Sequence, residues 1–430
     1  MSTSRYGGHK ISSHQNRPRH DPVYYRAVSG GDAMSTEWDP FDPRFKADPY
    51  PVYEALVEEA PLYQSRYGPL LVSRYEDCIT VLRHPAVSCD FRKSPDWSPE
   101  PGLSEDALLP SILNGDPPDH TRVRRLVSGA FTPRRVESLR PRMQQIVDRA
   151  FDRAVERGSM EAVAELAFPL PVLVICDLLG VPTDDLEQFK AWSSAIVRAT
   201  DPNFALSPEL VEQHAIAYNQ LWVYFQDLIA ERRGDLGDDL LSALLKVEQA
   251  GDRLSEPELM VNIILLLIAG HETTVNLIAN GMLAFARYPS QFERLRNDPS
   301  LARSAVEEVL RFYPPVHLRP RVLLEDIPLS TGTAPAYSDT FLVFAAANRD
   351  PRQFEGPQIF DIGRANNRHL GFGFGAHFCV GAPLSRIEGE VVFEAMARRF
   401  SGIYLEQDPP AYKDNVSLPG VAALEVKFAP

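Results

Sequence analysis

The sequence of 430 residues predicts one mostly helical α/β domain with small β-sheets, spanning residues 39–430. Three observations carry that expectation. Apolar residues recur at three- and four-residue spacing in one stretch after another, the strand-like pieces are short and few, and no linker or internal repeat divides the chain after residue 38. Composition agrees, because 44% hydrophobic residues supply a sizeable core and 24% charged residues an ordinary water-facing surface.

The first 38 residues read as a disordered tail. Through residue 33 they are basic, polar and irregular, with no apolar core of a secretory signal, although their Ser, Arg and scarcity of acids resemble a transit peptide. Met34, just before "STEWDPFDP", marks an alternative start. Patterned sequence follows. Helical spacing runs through "PYPVYEALVEEA" (49–60), "RMQQIVDRAFDRAVERG" (142–158), "LWVYFQDLIAERRG" (221–234) and "SLARSAVEEVLRF" (300–312), most of them stopped by Gly or Pro. "GPLLVSR" (68–74) and "DTFLVFAAA" (339–347) read as strands. The most apolar run, "MVNIILLLIAG" (260–270), is about half the roughly 20 residues a membrane span needs, so no membrane segment is expected.

A net charge of −14 argues against general affinity for nucleic acid, which requires clustered cations in excess. The four cysteines, Cys78, Cys89, Cys176 and Cys379, are too scattered for a disulfide framework or a paired-cysteine metal site, and they suit a reducing cytoplasm.

Cys379 stands apart by its surroundings, "HLGFGFGAHFCVG" (369–381). Gly371, Gly373 and Ala376 match a dinucleotide-binding fingerprint, but the preceding "DIGRANNRHL" is polar and loop-like rather than a buried strand. A different reading fits better. The glycines let backbone amides approach a ligand, and "VGAPLSRIEGEVVFEAMARRF" (380–400) is a helix whose N-terminal dipole favours the thiolate, the form that binds a metal.

A second singular stretch, "AGHETT" (269–274), lies inside the long apolar helix. It lacks the second His of a zinc-protease motif, since Val275 stands four residues after His271. Gly270 costs about 1 kcal/mol of helix propensity, and Glu272 and Thr273 add polar groups that need partners. Such a local conflict marks a functional distortion.

Phe372, Gly375, Cys379 and Gly381 complete F-x-x-G-x-x-x-C-x-G, and by this motif the chain resembles the cytochromes P450. The resemblance implies that fold as a single haem domain, with haem b held by Cys379 as axial thiolate, Phe372 packed beside the ligand and Gly381 allowing close approach to the sulfur. It also implies that the "AGHETT" helix crosses the haem face. Glu272 is then the relay acid, Thr273 the hydroxyl that positions water, and Ala269 and Gly270 leave room for oxygen and substrate. "DPPDHTRVRRL" places His120 and Arg124 as a propionate clamp, which Arg321 and His377 join. Glu308 and Arg311 match the E-x-x-R that holds the haem-side core. Here the chain departs from the pattern. The usual third arginine falls on Ile359, so Arg364, a neighbour or backbone carbonyls must serve instead.

The implied enzyme is a soluble, cytoplasmic monooxygenase of bacterial type that spends two electrons on O2 and hydroxylates or epoxidises a lipophilic small molecule of secondary metabolism. No flavin or nicotinamide domain is evident, so a ferredoxin or flavodoxin with its NAD(P)H-dependent reductase is expected, docking on Arg122, Arg125, Arg134 and Arg135. Pocket walls are expected at 87–114, 191–208, 314–320 and 415–420, with apolar character from "PNFALSP" and "PPVHL" and a polar contact from His317 or Arg319. The same motifs also suit oxidative coupling. A peroxide-driven enzyme fits less well, because it ordinarily lacks the acid–threonine pair, and a catalytically silent haem-fold binding protein would have lost Cys379 or Thr273.

Overall fold

The architecture follows from one very apolar helix that the others surround. In a computed structural model of the protein, residues 37–182, 186–248 and 253–429 are described. The tail expected over residues 1–36 lies outside them. Trp38, however, is 1% exposed and packs edge-on against Phe45, Tyr67 and Phe204, so folded structure begins by residue 38 rather than 39.

The described residues form fifteen α-helices and four small sheets. The N-terminal part holds α1 (Pro43–Ala47), α2 (Tyr50–Glu59), α3 (Tyr75–Arg83), α4 (Asp119–Ala130), α5 (Pro133–Ser138) and α6 (Arg140–Arg157). Next come α7 (Pro169–Leu179), α8 (Leu186–Arg198), α9 (Pro208–Gly234), α10 (Leu240–Glu248) and the 32-residue α11 (Glu256–Arg287). α12 (Pro289–Asn297), α13 (Ala302–Phe312), α14 (Phe344–Ala347) and α15 (Ala382–Arg399) complete the set.

A capping box starts α11: the Ser255 hydroxyl accepts from the Glu258 N–H at 3.3 Å, and the Glu258 carboxylate accepts from the Ser255 N–H at 2.8 Å. The helix is apolar nearly all round and therefore sits in the core. By length and composition alone α11 could cross a membrane, and 72% of its most apolar window is buried inside the protein.

The largest sheet runs β1 (Leu62–Gln64), β2 (Leu70–Val72), β8 (Asp339–Val343), β5 (Leu318–Leu323) and β3 (Val87–Ser88). Its β2–β8 pair is parallel, with Leu71 opposite Phe341, and its other pairs are antiparallel. A three-stranded sheet sets β12 (Glu425–Ala429) between β4 (Ser159–Glu161) and β9 (Gly402–Leu405). Two hairpins, β6 (Ile327–Leu329) with β7 (Gly332–Ala334) and β10 (Ala411–Tyr412) with β11 (Val421–Ala423), complete the β structure.

Two elements differ from expectation. α9 begins at Pro208, capped by Ser207, well before the expected Leu221, because its first turns bury only Ala215 and Ala217 and so carry little apolar periodicity. "DTFLVFAAA" is a strand only through Val343; its alanines turn into α14.

Candidate functional site

Gly373 and Gly375 adopt left-handed backbone, φ +69° and +72°, which only glycine takes without strain. A Cβ on Gly371 would lie 2.9 Å from the Leu310 carbonyl. The Cys379 N–H closes the loop on the Phe372 carbonyl at 2.9 Å. Gly381 caps α15, and the amides of Gly381 and Ala382 face the sulfur. Burial raises the pKa of the metal-free thiol above its ordinary range, while the two amides, Arg124 and Arg386 act in the expected direction and favour the thiolate. An added Cβ at Gly381 would sit an ordinary 3.8 Å from Sγ, so this residue contributes its amide rather than space.

A network invisible in the sequence supports the loop. Glu307 accepts from Arg386 at 2.6 and 3.1 Å and pairs with His369 Nε2 at 3.0 Å, while the Arg386 guanidinium lies 4.6 Å from the Phe372 ring centre. Burial opposes ionisation of Glu307, yet these hydrogen bonds prevail and hold its carboxyl down at about 2.

Within the otherwise buried α11, Ala269 is exposed and Thr273, one turn on, is partly so. The Thr273 hydroxyl donates to the Ala269 carbonyl at 2.9 Å. Gly270 serves packing rather than free space, since an added Cβ would meet Ile175 of α7 at 3.0 Å. Glu272 pairs with Lys413 Nζ at 2.5 Å, and Lys413 also donates to Asn276 Oδ1 at 2.9 Å. Both residues line a cavity of about 390 Å³ that also touches Glu161, Lys190, Ser193 and Asn415. Beside them, Thr274 Oγ1 lies 3.0 Å from Ser385 Oγ. Glu388 of α15 is fully buried, and neither of its oxygens has a well-formed hydrogen bond. Burial pushes this carboxyl up to about 8, against a small opposing pull from the Thr274 hydroxyl.

The clamp residues converge. The His120 and His377 rings stack at 4.0 Å, Arg124 donates to the Phe378 carbonyl, and Arg124 and Arg321 are among the charges acting on His120 and His377 respectively. Among the described residues, both ring nitrogens of His120, and Nδ1 of His377, are buried without a well-formed hydrogen bond, the backbone group acting on both rings being that of Ile112. Burial, followed by neighbouring positive charge, lowers the pKa of His120, while burial, His120 and Arg321 lower that of His377 to about 4. Orphaned donors and arginines without acids fit a group that brings two carboxylates, as haem does. Asp116 and Cys89 lie near His377, but the Asp116 carboxylate already accepts from Ser88, the Cys89 N–H and Lys93.

Glu308 and Arg311 are both 0% exposed, bonded at 2.7 and 2.8 Å. Arg364 supplies the third member, its Nε 3.2 Å from Glu308, while Ile359 contributes only a carbonyl to Arg311 and Arg364. Arg311 also donates to the carbonyls of Asn348 and Pro357, at 3.1 and 2.8 Å.

Three of the four expected wall segments are bonded together, and the fourth, 87–114, joins the continuation of β5 at Val322 and Leu323. Asp201 accepts from the Val416 and Ser417 amides, Ser417 accepts from the His317 amide, and β3 pairs with β5. His317 places its Nδ1 3.1 Å from Tyr53 Oη, and burial drives its pKa down to about 3. Phe204 of "PNFALSP" stacks on Tyr67 in the Trp38 cluster. In the basic patch, Arg122 is engaged by Glu258 and Arg135 donates to the Asp238 carbonyl, while Arg125 and Arg134 reach the surface.

The family model described as Cytochrome P450 matches residues 62–428. Cytochrome P450 107B1 of Saccharopolyspora erythraea is 39% identical over 407 residues, covering 90% of this chain and 96% of its own. Cytochrome P450 monooxygenase PikC of Streptomyces venezuelae is 40% identical, covering 89% and 92%. Among solved structures, P450BioI in complex with hexadec-9Z-enoic acid ligated acyl carrier protein superposes with a TM-score of 0.84 at 34% identity, covering 90% of this chain and 99% of that one.

Proposed function

The chain belongs to the cytochrome P450 family, and we propose that this monooxygenase hydroxylates or epoxidises a lipophilic small molecule of secondary metabolism with electrons from a separate partner. The observation that carries the reading is the set of unpartnered buried donors, His120 and His377, beside the Cys379 loop. Haem b, held by the Cys379 thiolate, supplies the reductive activation of dioxygen. The chain's own residues do the rest.

Arg124 and Arg321 would meet the charge of the two propionates and His120 and His377 would offer them ring N–H groups, while the Glu308–Arg311–Arg364 node and the Glu307–Arg386 pair hold the loop that presents the sulfur. Thr273, anchored on the Ala269 carbonyl, orients water at the exposed stripe of α11. Glu272 carries protons from the cavity on its Lys413 side toward that hydroxyl. Electrons arrive from a ferredoxin or flavodoxin and its NAD(P)H-dependent reductase, the redoxin docking at Arg125 and Arg134. The wall segments joined through Asp201 and Ser417 enclose the substrate, and the enzyme works in the cytoplasm.

The test is the absorption spectrum of the dithionite-reduced protein with carbon monoxide. A strongly red-shifted Soret band, lost in Cys379→Ala, is expected; a histidine-type spectrum or a protein without haem refutes the reading. Thr273→Ala should keep the band and divert reducing equivalents to hydrogen peroxide. Tight coupling in that variant would assign the proton relay to another group.

A further inference from the structure

Alternate residues of a strand share a face, so β5 and the residue before it direct His317, Arg319 and Arg321 to one side of the sheet. Two of the three are accounted for. His317 is bonded to Tyr53, and Arg321 donates to the Pro320 carbonyl beside His377. The Arg319 side chain, half-buried, makes no hydrogen bond or ion pair with any described residue. The charged and titratable groups that bear on it are the like charge of Arg321 and the thiols of Cys89 and Cys379, with no carboxylate among them. Burial, then Arg321, pulls its pKa down to about 10.

Arginines buried more deeply are provided for. Arg311 lies between Glu308 and three carbonyls, and Arg349 donates to the Phe312 carbonyl while lying 3.4 Å from the Tyr50 ring centre. A half-buried cation with a second cation beside it and no counter-ion loses solvation without repayment, and a ligand carboxylate would supply that repayment. Haem brings two carboxylates to three arginines, Arg124, Arg319 and Arg321. Arg124 and Arg321 are the arginines acting most strongly on the stacked histidines, which leaves Arg319 over. Its strand lies in the bonded set of wall segments, where a substrate would be held.

We propose that Arg319 binds a carboxylate of the substrate, so that the lipophilic compound this enzyme takes is an acid. The inference rests on the monooxygenase reading and narrows its substrate class. A guanidinium suits the task because its fork meets both carboxylate oxygens, whereas an ester or alcohol leaves it without a counter-charge.

The haem-loaded enzyme is titrated with alkyl imidazoles carrying a terminal carboxylate on tethers of graded length, and with their methyl esters. The imidazole ligates the iron, so binding is read from the Soret shift with no turnover. At the best tether length the acid should bind roughly tenfold or more tightly than the ester. Arg319→Leu should abolish that preference, and Arg319→Lys should restore part of it. Haem loss to apomyoglobin, measured in parallel, should be unchanged in Arg319→Leu. The proposal is overturned if acid and ester bind alike at every tether length, or if Arg319→Leu keeps the preference. Faster haem loss in Arg319→Leu would make the residue a propionate partner instead and also overturn it. The carbon monoxide spectrum of the wild type is recorded first, so failure of the monooxygenase reading is seen separately.

Discussion

Glu388→Gln should stabilise the protein at mildly alkaline pH. The Glu388 carboxyl is fully buried between α11 and α15 and has an ordinary value of 4.5 raised to about 8. Between those two values the unfolded chain has released the proton and the folded chain still holds it. The folded state therefore binds more protons, and stability falls as pH rises through that window, levelling once the folded carboxyl ionises above about 8. A shift of about 3.5 units at about 1.36 kcal/mol each gives an upper bound of about 5 kcal/mol. Glutamine fills the same space and does not titrate. Urea unfolding of wild type and variant, followed below pH 4.5 and near pH 8, reads the difference. The two should be nearly equal in acid, and the variant should be more stable by several kcal/mol at the higher pH. A difference that does not change with pH would refute the reasoning and mean that Glu388 is ionised in the folded state.

Glu307→Gln should behave in the opposite sense: the carboxyl held at about 2 contributes stability above its ordinary 4.5 that is lost as pH falls toward 2, so the variant should be about 3 kcal/mol less stable at neutral pH and match wild type in strong acid. Arg364→Met should cost about 3 kcal/mol in thermal unfolding by leaving Glu308 short of a buried partner, and Arg364→Lys should recover little, because one ammonium cannot reproduce bonds to Glu308 and to the carbonyls of Glu355, Gly356 and Ile359. Arg125→Glu with Arg134→Glu should slow reduction by an acidic redoxin at low salt and converge with wild type at high salt; an unchanged rate at low salt would remove that face from the docking surface.

What could be read from the sequence was local in the chain. The Cys379 loop, the His120–Arg124 clamp and the Glu308–Arg311 pair each lie within a few residues, so a family resemblance carried by short motifs could point to them. The Lys413–Glu272 pair joins residues 141 apart, and no spacing announces it. Arg364 was one of several candidates for the third arginine, and only the path of the loop after Pro357 selects it. The same limit hid the β4–β12 pairing, for β12 alternates but β4, three residues long and more than 260 positions earlier, does not announce itself as its partner. The Tyr53–His317 contact, between residues 264 apart in the chain, is likewise beyond the reach of spacing.

Helix α11 has a consequence outside the finished enzyme. A segment this long and apolar, emerging from the ribosome before its partners have folded, resembles what a membrane-insertion machinery accepts. Asn262, His271, Glu272, Asn276 and Asn280 interrupt it, with Glu272 near its midpoint, where an ionised side chain costs an inserting helix about 3 kcal/mol. Side chains that bond backbone groups in the folded core thus also raise the cost of inserting the helix in a membrane. Replacing His271, Glu272 and Asn276 together by leucine should send newly made protein to the membrane fraction before any question of catalysis arises.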